Sequence, residues 1–151
     1  MKIILAGAGA FGEKHLEAIR HIDGIEVASL VGRELEKTRA IAARYQVPHA
    51  TTGLAEALRL PGVQAAILCT PTQMHARQAI ECLEAGKHVQ VEIPLADSWQ
   101  DADAVAQAQR RTGLICMVGH TRRFTPSHQW IHQRIARGEL RILHMDVQTF
   151  F

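Results

Sequence analysis

The chain has 151 residues, 47% apolar and 21% charged, the balance of one compact globular domain. Lysine and arginine outnumber aspartate and glutamate by only 17 to 15, with the signs interspersed; this argues against a nucleic-acid partner, and no apolar run approaches the ~18 residues of a membrane span. Cys69, Cys82 and Cys116 are odd in number and lack CxxC spacing, which points away from a disulfide framework and towards a reducing cytoplasm.

Strand-length apolar runs alternate with segments of helical period, the pattern of repeated βαβ units. Strands are predicted near 2–6, 25–31, 64–69, 87–91 and 114–118, and helices over 11–21, 34–45, 73–85, 98–111 and 126–137, with short elements at 47–50 and 54–59. Gly24, Gly86 and Gly113 stand between a helix and the next strand, where a left-handed cap is wanted, and Asp97 or Ser98 can cap the helix that follows. The segment Arg141 to Phe151 reads as a new strand with no terminator. The expected fold is therefore a doubly wound parallel α/β sheet of Rossmann type with helices on both faces, over 1–123. The first strand of a second α/β domain, cut short, follows in 124–151.

Gly7-Ala8-Gly9-Ala10-Phe11-Gly12 follows the first strand and opens a helix, with a second strand inside the expected ~30-residue unit. In such a loop the first glycine permits the tight turn, the second a close approach of backbone to pyrophosphate, and the third close packing of helix on strand. Gly7, Gly9, Ala10, Phe11 and Gly12 are thus the expected phosphate contacts, aided by the positive end of the helix. About 20 residues further on, NAD enzymes carry a carboxylate for the ribose hydroxyls. Here the sequence is Gly32-Arg33, and the Arg33 guanidinium suits a 2′-phosphate, with Lys37 one turn beyond. NADP is the expected cofactor. Glu34 and Glu36 would serve as ribose ligands if the strand ended later.

Several further stretches carry a resemblance: Lys14-His15, Cys69-Thr70-Pro71-Thr72-Gln73-Met74-His75, Gly86-Lys87-His88-Val89, Glu92-Ile93-Pro94 and Gly119-His120-Thr121-Arg122-Arg123-Phe124-Thr125-Pro126. With the glycine loop and in this order, they make the chain resemble the N-terminal domain of the glucose-fructose oxidoreductase / inositol dehydrogenase family. The resemblance implies a C-terminal α/β domain whose open sheet backs onto the substrate site and forms a homo-oligomer interface. It also implies that Thr70, Pro71, Thr72 and His75 pass beside the ribose and nicotinamide, that Glu92 bonds the nicotinamide ribose, and that Ile93 and Pro94 complete the contact, the latter with a cis bond as one option. Within the family, the stretches 89–99 and 118–124 are similar to members that oxidise a semialdehyde bearing carboxylates in bacterial aromatic catabolism.

One departure bears on the chemistry. The family's usual Glu-Lys-Pro places a catalytic lysine where this chain has Ile93, which holds neither proton nor hydrogen bond. The base must be elsewhere. His120, just beyond the strand near 114–118, is the candidate in this chain, with a structural histidine or a base beyond residue 151 as the alternatives. Arg122 and Arg123 supply cations for a carboxylated small-molecule substrate. His128 and His132 have the i, i+4 spacing of a metal pair, but nothing nearby completes a set and hydride transfer needs no metal, so none is expected. Two other readings stay open: a sugar or cyclic polyol dehydrogenase of the same family, and a non-catalytic NADP(H)-binding module.

Overall fold

A computed structural model describes residues 1–146. Two compact units emerge, Met1–Gly119 and His120 onward. In the first, β1 (Lys2–Ala6), β2 (Glu26–Val31), β3 (His49–Thr51), β4 (Val63–Leu68), β5 (His88–Val91) and β6 (Cys116–Val118) form one sheet in the order β3-β2-β1-β4-β5-β6. Each pairing is parallel. The helices α1 (Ala10–Ile19), α2 (Leu35–Arg44), α3 (Leu54–Leu58), α4 (Thr72–Glu84) and α5 (Trp99–Thr112) connect the strands. This is the doubly wound parallel sheet read from the sequence. The strand order reverses between β1 and β4, and at such a switch point a crevice opens beyond the carboxyl ends of the strands.

β1 shows why the sheet is covered twice. Alternate side chains leave a strand on opposite faces. Ile4 and Ala6 join the core that includes Leu68, Cys82, Leu83 and Val105, while Ile3 and Leu5 join the core with Leu16, Ile19, Leu30 and Ala42. Ile4, Leu5, Leu30 and Leu68 are completely buried, each worth about 1.5–3 kcal/mol of transfer free energy.

Helix ends follow local chemistry. Ser98 Oγ accepts from Asp101 N at 3.1 Å and caps α5, and Gly113 ends the same helix with φ of 67°. β6 is two residues shorter at its start than the predicted strand because side chains take over its first backbone groups. Leu114 O accepts from Gln109 Nε2 at 3.0 Å, Leu114 N donates to Thr112 Oγ1 at 3.4 Å, and Ile115 N donates to His88 Nδ1 at 3.0 Å.

The second unit contains a 3-10 turn, Thr121–Phe124, and α6 (Pro126–Ala136), whose proline opens the helix where no N–H is needed. The division expected at 123/124 falls inside that turn. The predicted strand at 141–151 is not seen over 141–146, where no regular structure forms, and 147–151 lie outside the described residues. A strand is held in a sheet by its neighbours, and 141–146 are not part of the six-stranded sheet. Among the described residues no helix is long and apolar enough to cross a membrane.

Candidate functional site

The carboxyl edge of the sheet carries a row of residues, each one position past its strand and each still bonded to the neighbouring strand. Gly32 N donates to Thr51 O at 3.0 Å, Gly7 N to Val31 O at 2.8 Å, Cys69 N to Ala6 O at 2.7 Å, Glu92 N to Leu68 O at 2.9 Å and Gly119 N to Val91 O at 2.8 Å. Gly32, Gly7, Cys69, Glu92 and Gly119 therefore stand along one rim, their spacing set by the sheet.

The glycine loop needs its small residues for three different reasons. Gly7 has φ of 112°, and a Cβ there would overlap the Cys69 carbonyl. Gly12 packs against the loop itself, since a Cβ would overlap the Gly7 carbonyl oxygen before it met Leu5 at 3.2 Å. The third glycine thus brings the helix close to the turn more than to the strand. Gly9 is different: its φ of −93° is ordinary, and a Cβ there would meet nothing within 4 Å. Among the described residues nothing requires glycine at position 9, and open space lies beside it. Gly9 is also the N-cap of α1 and offers no side-chain acceptor, and the first intrahelical donor is Glu13 N, to Gly9 O at 3.0 Å. The N–H groups of Ala10, Phe11 and Gly12 are left to an external acceptor, at the positive end of the helix.

On the β2 side of the loop a groove of about 880 Å³ runs between the two halves of the sheet edge, lined by Gly7, Gly9, Gly32, Thr70, Pro71 and Met74 among others. Arg33, Lys37 and Arg77 stand on it, as does Glu34. β2 ends at Val31, ahead of both glutamates, so the position of the usual carboxylate is Gly32-Arg33. Arg33 is 95% exposed, with its nearest recorded carboxylate, Glu34, at 4.0 Å. Glu36 is engaged by Arg39 at 2.8 Å. Glu34 is bonded by the Lys37 ammonium at 2.9 Å, and this bond, with the added charge of Lys37 and Arg33, holds its carboxyl below the usual range. Arg77, on the second turn of α4, carried no sequence signal. Only the fold brings it to the groove.

Beyond the loop, on the β4–β5 side, Glu92 meets a partner 77 residues away. His15 Nε2 lies 2.8 Å from Glu92 Oε1, with side chains 22% and 14% exposed. Lys14-His15 belonged to the recognised motif without a role. The Cys69 thiol lies beside this pair, and burial, then the Glu92 charge, pushes it up to about 12. Thr70 Oγ1 donates to Gln78 Oε1 at 2.5 Å, Pro71 precedes α4 and Thr72 begins it.

His75, expected among the cofactor contacts, is 1% exposed, and its Nδ1 and Nε2 lie 2.7 Å from Pro94 O and 2.7 Å from Thr70 O. The buried ring thus sits between the Thr70 and Pro94 carbonyls, beneath the rim and not on its surface. The Ile93–Pro94 peptide is cis, and Ile93 is 51% exposed.

The remaining candidates lie in the second unit. His120 precedes the 3-10 turn, and its carbonyl accepts from Arg123 N at 3.0 Å. Arg122 and Arg123 lie within that turn, and all three are exposed. His128 and His132 sit on α6, also exposed, and no metal-type group of three or more ligands includes them among the described residues.

Parallel topology, a glycine loop with an uncapped helix start and a groove at the switch point define a dinucleotide-binding domain. Residues 1–120 match the oxidoreductase family with an NAD-binding Rossmann fold that takes its name from glucose-fructose oxidoreductase and inositol dehydrogenase, and residues 126–151 match the C-terminal region of bacterial oxidoreductases. The chain belongs to this oxidoreductase family. It is 62% identical over 151 residues to 4-carboxy-2-hydroxymuconate-6-semialdehyde dehydrogenase of Sphingobium sp. strain SYK-6, covering all of this chain and 48% of that protein. An NAD-binding oxidoreductase from Klebsiella pneumoniae superposes with a TM-score of 0.85 at 30% identity, over 93% of this chain and 39% of that one. The WlbA dehydrogenase of Chromobacterium violaceum, solved with NADH and UDP-GlcNAcA, gives 0.85 at 25% identity over 91% and 40%. The chain thus spans about half the length of its 62%-identical relative.

Proposed function

We propose that this chain is the NADP-binding part of a dehydrogenase that oxidises the cyclic hemiacetal of 4-carboxy-2-hydroxymuconate-6-semialdehyde to 2-pyrone-4,6-dicarboxylate. The 62% identity to the dehydrogenase of that semialdehyde carries the substrate assignment. The groove carries the cofactor assignment: Arg33, two residues past β2, joined by Lys37 and Arg77, presents cations next to Gly32, where NAD enzymes present a carboxylate. NADP, when bound, accepts a hydride from the substrate carbon.

The residues divide the remaining work. The N–H groups of Ala10, Phe11 and Gly12 bind the pyrophosphate, and the open space at Gly9 admits it. Arg33 would pair with a 2′-phosphate. Thr70, Pro71, Ile93 and Pro94 would hold the nicotinamide end, and Glu92, oriented by His15 at 2.8 Å, would take its ribose hydroxyls. As the substrate C–H leaves as hydride, the hemiacetal O–H must lose its proton. Ile93 cannot take it, so His120 is assigned as the base and Arg122 and Arg123 as the holders of the substrate carboxylates.

A second reading concerns the cofactor alone. Glu34 also lines the groove, and its carboxylate would suit the ribose hydroxyls of NAD once released from Lys37. Turnover tests the proposal: the full-length protein carrying this sequence should form NADPH from the semialdehyde and give none from inositol or glucose. NADPH formation from a polyol and not from the semialdehyde would overturn the substrate assignment, and equal use of NAD would favour the second reading.

A further inference from the structure

Three donors of different chemistry meet at the β4–β5 side of the rim. The His15 imidazole, from α1, the Cys69 thiol, after β4, and the Glu92 carboxylate, after β5, place one nitrogen, one sulfur and one oxygen within 4.8 Å of one another. It is the one such group of three among the described residues. From this juxtaposition we propose that His15, Cys69 and Glu92 form an inhibitory site for a borderline-soft divalent cation, zinc or cadmium, whose binding there excludes the dinucleotide.

The donor set fits that chemistry. Zinc takes thiolate, imidazole and carboxylate at about 2.0–2.3 Å, so donors of a tetrahedral site stand about 3.3–3.8 Å apart. The three donor atoms stand within 4.8 Å of one another, and a cation would take the place of the 2.8 Å hydrogen bond between His15 and Glu92. Three protein ligands leave a fourth position for water, the arrangement of open rather than closed zinc sites. Two ligands would be anionic, which neutralises a divalent charge. Cys69 and Glu92 extend the ladders of β4 and β5 by one bond each, and His15 stands on α1. All three are half-buried, so the site is shielded yet reachable from the cleft.

Cation binding breaks the Cys69 S–H bond, forms the metal–sulfur bond and releases the proton to solvent. Exclusion of the dinucleotide rests on the reading that Glu92 bonds the nicotinamide ribose, for a carboxylate engaged by a cation cannot also orient those hydroxyls.

Cadmium chloride titrated into the metal-free protein tests the site through the ultraviolet charge-transfer band that a thiolate–cadmium bond produces. One band per chain is expected, absent in Cys69→Ser and reached only at roughly 10- to 100-fold higher cadmium in His15→Gln. Circular dichroism verifies the fold of each variant. Saturating NADPH should remove the band. Equal cadmium affinity in wild type and Cys69→Ser would overturn the proposal by placing the cation elsewhere, for example on the exposed His128 and His132. A band that persists with NADPH bound would overturn the exclusion. NADPH titrated into metal-free protein judges the cofactor reading separately: failure to bind there sinks that reading while the cadmium titration still decides the metal site.

Discussion

Gly32 lies so close to Thr38 that a Cβ on it would overlap Thr38 Oγ1, and that hydroxyl is fixed by its 2.7 Å bond to Glu34 O at the start of α2. The place where NAD enzymes carry their acidic residue is therefore sterically closed in this chain. Gly32→Asp should destabilise the domain by about 2–4 kcal/mol, the sum of overpacking and a lost buried hydrogen bond, without creating NAD preference. Urea unfolding checks it. A stable Gly32→Asp protein that binds NAD would show that the turn is more yielding than this packing implies.

Gly12→Ala meets a harder obstacle, since the overlapped atom is the Gly7 carbonyl oxygen and not a side chain that can rotate. Helix propensity alone favours alanine over glycine by about 1 kcal/mol. The overlap should outweigh it, giving net destabilisation of about 1–3 kcal/mol and loss of measurable dinucleotide binding. Thermal unfolding and fluorescence titration with NADPH distinguish the two effects.

His75→Ala removes a fully buried ring whose nitrogens lie 2.7 Å from Thr70 O and Pro94 O. A cost of about 3–5 kcal/mol follows from the cavity and the lost N–H donor to these carbonyls. Denaturant midpoints measure it. A change below about 1 kcal/mol would mean that these carbonyls find other partners.

Cys69 and Cys82 are both pushed up from 9.0 to about 12, chiefly by burial. A rise from 9.0 to about 12 leaves about a thousandfold less thiolate near neutral pH than in the unfolded chain. Iodoacetamide should label the native protein slowly at about pH 8 and the urea-unfolded protein rapidly. The folded state holds these protons more tightly, so its stability should be intact below pH 9.0 and fall as pH rises towards about 12. Rapid native labelling of Cys82 would contradict its burial.

How much of this was legible in the sequence depends on whether the signal is local. The strands announced themselves because parallel strands covered on both faces are continuous apolar runs, and the Ser98 cap and the Gly113 end are local chemistry. The start of β6 was misplaced because Gln109 and Thr112 of α5 bond both backbone groups of Leu114 and His88 of β5 accepts from Ile115 N, in place of ladder partners. The His15–Glu92 pair, 77 residues apart, and Arg77 at the groove exist only once β1, β4 and β5 are side by side. His75 was visible as a motif residue, but burial decided its role. For 141–151, apolar composition predicted a strand that residues 141–146 do not form.

Calorimetric titration of the protein with NADP and NAD checks the proposed role of Arg33, which is to turn a general dinucleotide cleft into an NADP site. NADP should bind more tightly than NAD, and Arg33→Asp should weaken NADP roughly 10- to 100-fold, the worth of one charge-assisted bond, while leaving NAD binding intact or improved. Equal affinities for the two dinucleotides in the wild-type chain, or an Arg33→Asp variant that still prefers NADP, would contradict the account.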